Sequence, residues 1–330
     1  MRVMRLLALV VMVMLLSAGL LLVGGCQQPA PEPPQPAEPV ESRLINPTGP
    51  LVLPVAGIES GEVKGPVTVK VSYWKTNDEA VGLLTGNQTD FAILPVTLAA
   101  NLYANQQDLM LVGVHEWKVF YLLARQGVEF TDWTSLKGQT LYMPVGKGQT
   151  VDVLSRLGLI KAGLTPEQDV KFVYAPPQEI VSLFKSGKID FAALPEPFVT
   201  LAMQDNAGHI VLDFQEYWGE VAGVEPRVPI AGLFVKKDYA AQNPQVVKDV
   251  AQMLADSTEW CLANTDRAIE VAQDTLPLPA PVMKASLERT EFKYIPAAQC
   301  RGEVDQYLKT IQEIDPEAIQ QIPDQGFYSE

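Results

Sequence analysis

The segment Glu79-Ala-Val-Gly-Leu-Leu-Thr-Gly-Asn-Gln-Thr-Asp90-Phe-Ala-Ile-Leu-Pro95 returns one hundred residues later, without a gap, as Glu179-Ile-Val-Ser-Leu-Phe-Lys-Ser-Gly-Lys-Ile-Asp190-Phe-Ala-Ala-Leu-Pro195. Glu, Val, Leu, Asp, Phe, Ala, Leu and Pro coincide in the two copies. Each copy reads as an amphipathic helix (Glu79 to Leu84, Glu179 to Phe184), a turn rich in Gly, Asn or Lys, and a short apolar strand closed by proline. A further strand precedes each copy, Val67 to Trp74 and Val170 to Tyr174. The chain thus repeats a strand, helix, strand unit, which is the signature of a parallel sheet with helical crossovers.

Working outward, the first unit gains a strand near Arg43 to Asn46, a helix over Pro50 to Ser60 weakened by Gly57, a helix Val96 to Asn105 and a strand Met110 to Val114. The second gains a strand Thr140 to Met143, helices Thr150 to Ala162 and Glu196 to Gln204, and a strand His209 to Asp213. Beyond Val228 the pattern predicts a strand Ala231 to Val235 and then helices only, opening at Asn243-Pro244, Asp266, Ala280-Pro281 and Pro296. Asn243 reads as an N-cap with proline at the first helical position. Val247, Val250, Ala251, Leu254 and Thr258 form one face of the first of these helices, a core stripe.

At the N-terminus, Arg2 and Arg5 precede an apolar run, Leu6 to Val23, that ends in Val23-Gly-Gly-Cys26. That is a signal-peptide profile over residues 1–25. Its end resembles a bacterial lipobox, which implies lipidation of Cys26, an extracytoplasmic location and attachment to the membrane through the N-terminal lipid. Residues 26–42, with Pro29, Pro31, Pro33, Pro34, Pro36 and Pro39, read as an extended tether. The body from Arg43 to Glu330 is long enough for two modest domains.

The 330 residues carry 25 basic and 39 acidic side chains. This charge disfavours nucleic acid, since phosphate contacts need clustered Lys and Arg. Besides Cys26 there are only Cys261 and Cys300, and the histidines are His115 and His209. No zinc spacing, GxSxG, P-loop, HExxH or GxGxxG occurs, so no catalytic residue, metal ligand or cofactor is expected. Cys261 and Cys300 read equally as a disulfide in an oxidising compartment or as two buried thiols.

Five further stretches carry a family resemblance: Asp90-Phe-Ala-Ile-Leu-Pro95 with Leu98-Ala-Ala-Asn-Leu-Tyr103 after it; Trp133-Thr-Ser-Leu-Lys-Gly138; Gly158-Leu with Gly163-Leu-Thr-Pro-Glu-Gln-Asp-Val170; Gly187-Lys-Ile-Asp190; and Pro195-Glu-Pro-Phe-Val-Thr200. In these the chain resembles the solute-binding proteins of ABC importers, in the branch for nitrate, alkanesulfonates, taurine and thiamine-pyrimidine precursors. The resemblance runs from Arg43 to the end, and the glycines Gly57, Gly61 and Gly65 depart from it before Val67. It implies an α/β, two-lobed type II periplasmic-binding-protein fold: two sheets with helical crossovers and a C-terminal helical segment. Residues 43–138 plus 229–330 would form domain I. Residues 139–228 would form domain II, inserted through a two-strand hinge near Lys137 to Thr140 and Arg227 to Leu233. It also implies a monomer that is not an enzyme, a small-molecule solute, and permease and ATPase subunits as partners. A sensory ligand-binding module and a pyrimidine-precursor synthase of the same fold are the alternatives.

Ligands of such sheets sit beyond the carboxyl ends of parallel strands, where helix N-termini present free N–H groups. Here those ends bring forward Thr48, Gly49, Trp74, Thr97, Trp117, Gly148, Thr150, Tyr174 and Glu196. The threonines, with Lys147 nearby, suit an anion. Trp74, Trp117, Tyr174 and Trp218 suit an aromatic ligand. Glu196 suits an N–H donor or a helix N-terminus.

Overall fold

The structure, a computed structural model, describes residues 40–144 and 146–330. The expected signal peptide, Cys26 and most of the tether lie outside the described residues. Residues 40–42, which the sequence reading assigns to the tether, are instead the start of strand β1 (Val40–Pro47).

Two sheets organise the chain. The first holds β1, β2 (Val67–Trp74), β3 (Phe91–Pro95), β4 (Leu109–Lys118), β10 (Ala231–Lys236) and β11 (Glu291–Pro296), in the order β11-β4-β10-β3-β1-β2. The second holds β5 (Phe120–Arg125), β6 (Thr140–Met143), β7 (Lys171–Tyr174), β8 (Phe191–Pro195) and β9 (Gly208–Asp213), in the order β7-β6-β8-β5-β9. Leaving β11 aside, the orders correspond strand for strand. In each, three parallel strands meet one antiparallel strand, β10 in the first and β5 in the second.

The sequence repeat is therefore a structural one. Helix α2 (Asn77–Thr85) and β3 recur in the same register as α5 (Pro177–Lys185) and β8. The shared aspartates take the same job in both copies. Asp90 accepts from the backbone N–H and guanidinium of Arg43, and Asp190 accepts from the Arg125 guanidinium at 2.7 Å, so each anchors the entry to its strand. Phe91 to Leu94 and Phe191 to Leu194 are buried, which explains strands without polar alternation.

The sequence reading places the first connection between sheets near 137–140. Strand β5 corrects this, because Phe120–Arg125 pairs with β8 and β9. The chain crosses at Lys118 to Phe120, and it returns beside that crossing. Val228 N–H donates to Trp117 O at 2.9 Å and Ile230 N–H to Glu116 O at 3.0 Å.

Four helices cover the loops after the strands: α3 (Val96–Ala104), α4 (Thr150–Lys161), α6 (Phe198–Ala202) and α7 (Phe214–Ala222). The expected helix over 50–60 is a 3-10 turn at Pro50–Val52 and then α1 (Ala56–Glu59). A Cβ on Gly57 would lie 2.9 Å from Ser257 Oγ, so glycine lets α1 close onto the long helix α9 (Pro244–Ala263). Asn243 does not cap α9; its Nδ2 donates back to Tyr239 O, in the short helix α8 (Lys237–Gln242), at 3.0 Å. The C-terminal segment is not helical throughout. Besides α10 (Thr265–Ala272), α11 (Ala280–Ser286) and α12 (Ala297–Ile314), it contributes β11, which pairs with β4. Trp133 packs so closely on α4 that a Cβ on Gly158 would fall onto its ring. Cys261 and Cys300 are buried free thiols in separate hydrophobic clusters, not a disulfide.

Candidate functional site

The parallel strands of the first sheet end together. Register places Pro47 beside Trp74, Pro95 beside Ala231, and Ala231 beside Glu116, so the loops after β1 and β3 and the end of β4 form one edge. In the second sheet the corresponding edge carries Met143 beside Tyr174, and Pro195 beside Phe120. The two edges touch where Thr97, at the start of α3, meets Gln149, just before α4, with Thr97 Oγ1 at 3.5 Å from Gln149 Oε1.

Among the described residues, six buried side-chain atoms lack a hydrogen-bond partner, and five belong to the first edge: Asn46 Oδ1, Thr48 Oγ1, both ring nitrogens of His115, and Glu116 Oε1. The sixth, Trp133 Nε1, lies elsewhere. A buried polar atom left unpaired costs about 1–3 kcal/mol, and native proteins carry few of them. Their concentration on one strand-end edge singles that edge out as the candidate site. Asn46 is held ready, since its Nδ2 donates to Pro47 O at 3.0 Å and Leu51 O at 3.1 Å and leaves the carbonyl oxygen over.

Burial sets the charge there. It pushes the Glu116 carboxyl up to about 8, so this acid is mostly protonated at neutral pH. It pushes His115 down to about 3 and keeps the imidazole neutral. Both residues lie where β4 is irregular: pairing with β10 slips between Ala231 and Gly232, opposite Glu116 and Val114, leaving His115 unpaired. Bulges of this kind re-aim side chains beside functional sites.

The residues singled out by sequence divide into two groups. Thr48, Gly49, Thr97, Gly148 and Thr150 lie at the strand-end edges. Thr48 N–H donates to Trp74 O at 2.8 Å while its hydroxyl has no partner. Gly148, at φ +82°, lets its N–H reach Asp152 Oδ2 at 2.8 Å, and the Thr150 hydroxyl pairs with Tyr307 Oη at 2.9 Å. In the second group the polar atoms are engaged within the protein. Trp117 is fully buried, donates to Lys293 O at 2.8 Å and lies under the Arg227 guanidinium. Trp74 donates to Ile93 O at 3.3 Å, and Tyr174 donates to Asp152 Oδ1 at 2.7 Å. Trp218 packs edge-on against Tyr307. Glu196 is fully buried and faces Arg289 at 2.6 Å, with Thr200 N–H at 3.0 Å. Burial raises its carboxyl, and Thr200 and Arg289 draw it back down. Lys147 is held charged by Glu317 at 3.0 Å.

Asn46, His115 and Glu116 lie at the strand ends to which the sequence directs attention but are not among the residues singled out there, because which atoms go unpaired is decided by tertiary packing.

Two sheets with matching strand orders, joined by paired crossings, define the two-lobed fold of the periplasmic binding proteins. Solved structures agree. An ABC transporter protein from Parabacteroides distasonis superposes with a TM-score of 0.72 at 24% identity, covering 88% of this chain and 98% of that one. The aliphatic sulphonate binding protein SsuA from Escherichia coli gives 0.71 at 18% identity, covering 88% and 92%. The model of the NMT1-like family matches residues 95–275, more than half of the chain, which therefore belongs to that family. The Bacillus subtilis (strain 168) binding protein YtlA is 26% identical over 211 residues, 62% of this chain and 60% of YtlA. The match thus spans less than two thirds of that relative's own length.

Proposed function

We propose that this chain is the solute-binding component of an ABC importer, a binding protein and not an enzyme, which captures one small molecule at the strand-end edge of its first sheet. The observation that carries the reading is the cluster of unpartnered buried atoms on Asn46, Thr48, His115 and Glu116. Family membership and the binding proteins among its relatives support it. Thr97 extends the same edge from α3, Gly148 and Thr150 supply the facing wall at the start of α4, and Trp74, Trp117, Tyr174 and Glu196 hold the walls in shape. The paired connections at Trp117 to Val119 and Val228 to Ile230 serve as the hinge between lobes of 40–118 plus 229–330 and 119–228, and closure about it removes water from the ligand. The protein works as an extracytoplasmic monomer tethered by a lipid on Cys26, and it hands its solute to a permease driven by an ATPase.

The solute-binding reading is tested by thermal denaturation against a library of small metabolites. A ligand at one hundred times its dissociation constant stabilises the folded form by about 2.7 kcal/mol. Loss of the shift in Thr48→Val, in a variant that melts normally without ligand, supports the site; an unchanged shift places the ligand elsewhere. The anchor is tested by mass spectrometry of the protein from its membrane. A diacylglyceryl Cys26 as first residue supports it, and a free Cys26 thiol or a retained Met1 contradicts it.

A further inference from the structure

The donor and acceptor balance of the unpartnered atoms says what kind of solute fits, given that the edge is a solute site as proposed above. Asn46 can only accept, because both N–H positions of its amide face backbone carbonyls. Glu116 accepts through its carboxyl and, while protonated, can also donate one O–H, and neutral His115 offers one donor and one acceptor. The Thr48 hydroxyl can do either. Acceptors therefore outnumber donors.

The charges point the same way. Cations able to hold an anion at this end of the sheets already face carboxylates. Lys147 pairs with Glu317 at 3.0 Å, Arg289 with Glu196 at 2.6 Å, Arg227 with Glu303 at 2.6 Å and Lys118 with Asp213 at 2.6 Å. Lys75, after the outermost strand β2, is exposed. An acceptor-only anion such as nitrate or a sulfonate would leave Asn46 Oδ1 unsatisfied, would meet its negative dipole and would keep Glu116 from ionising; the N–H groups opening α3 are the features that favour it.

We infer that the solute bound at this edge is a neutral or cationic molecule presenting N–H donors to Asn46 and Glu116, and that Glu116 is the residue that selects it over oxyanions. Strands β1 and β4 are three strand spacings apart, about 14 Å at roughly 4.8 Å each.

The test is calorimetric titration of the full-length protein with cytosine, benzamidine and agmatine on one side and sodium nitrate and methanesulfonate on the other. Binding of at least one N–H donor is expected, with release of the Glu116 proton, and weakened tenfold or more in Glu116→Gln, because the amide cannot become the anionic acceptor that the donor draws out of the carboxyl. Thr48→Val, which leaves the carboxyl in place, should weaken the same probe less. Circular dichroism confirms that both variants fold. Binding of nitrate or methanesulfonate, unchanged or tightened in Glu116→Gln, overturns the inference while leaving the solute-binding reading intact. Silence from every probe in the wild-type protein counts against the site itself, and with it against the inference.

Discussion

Replacing Glu116 by glutamine should change how the stability of the ligand-free protein depends on pH. Burial without a partner pushes this carboxyl from 4.5 to about 8, so the folded protein keeps a proton that the unfolded chain releases. Its contribution is fully present below about 4.5 and is lost as pH rises through 8. His115 acts in the opposite sense. Burial lowers it from 6.5 to about 3, so its contribution is present above 6.5 and is lost as pH falls toward 3. Between 4.5 and 6.5 the two slopes oppose each other. From 6.5 to 8 the glutamate acts alone, and at about 1.36 kcal/mol per pH unit the protein should lose on the order of 2 kcal/mol there. Urea midpoints measured from pH 5 to 9 read this directly, since m is unchanged by a substitution that conserves shape. The expected result is a wild-type midpoint that falls between pH 6.5 and 8 and a Glu116→Gln midpoint that does not. Parallel curves for the two proteins would refute the claim that Glu116 is buried and unpaired.

The packing sets three other outcomes. Arg289→Met should destabilise the protein by about 2–4 kcal/mol, because it strands the buried Glu196 carboxylate, the figure being reduced for the partial exposure of Arg289; chemical denaturation measures it, and a loss below about 0.5 kcal/mol would contradict the buried pair. Gly158→Ala should cost at least the usual 1–3 kcal/mol or so of overpacking, since the new methyl would fall on the Trp133 ring; an unchanged melting temperature would contradict that contact. Cys261 and Cys300 should resist alkylation in the native state, where burial pushes their thiols up to about 12 and about 11, and both should react after denaturation without reductant; a count of zero would reveal a disulfide.

Much of the fold is legible in the sequence because repetition and periodicity are local signals. The hundred-residue repeat locates α2, β3, α5 and β8 in register, and the apolar runs give β2 and β6 at their observed limits. Strand β5 escapes because one residue, Val119, separates it from β4, with no Gly or Pro to mark the crossing. Strand β11 does alternate, with Phe292 buried and Lys293 exposed, but it sits among helices. Helix α7 carries signals that a closer reading could use: Asp213 accepts from the N–H groups of Gln215 and Glu216, and Gly223 ends the helix at φ +66°. The site was only half legible. Topology alone directs attention to strand ends, hence Thr48, Thr97 and Thr150. Whether Glu196 meets a solute or Arg289, and whether Trp117 faces a ligand or Lys293 O, depends on a C-terminal segment some ninety to one hundred and eighty residues away. No local pattern encodes that.

Hydrogen exchange, read by mass spectrometry on free and ligand-saturated protein, tests the central claim most directly. Peptides covering 46–49, 95–98, 114–119 and 146–151 should slow together on binding, because the ligand and the closing lobes shield their amides, while the outer helix Pro244–Ala263 should be unaffected. Protection confined to that outer helix, with the strand-end peptides unchanged, would contradict a solute site between the two sheets.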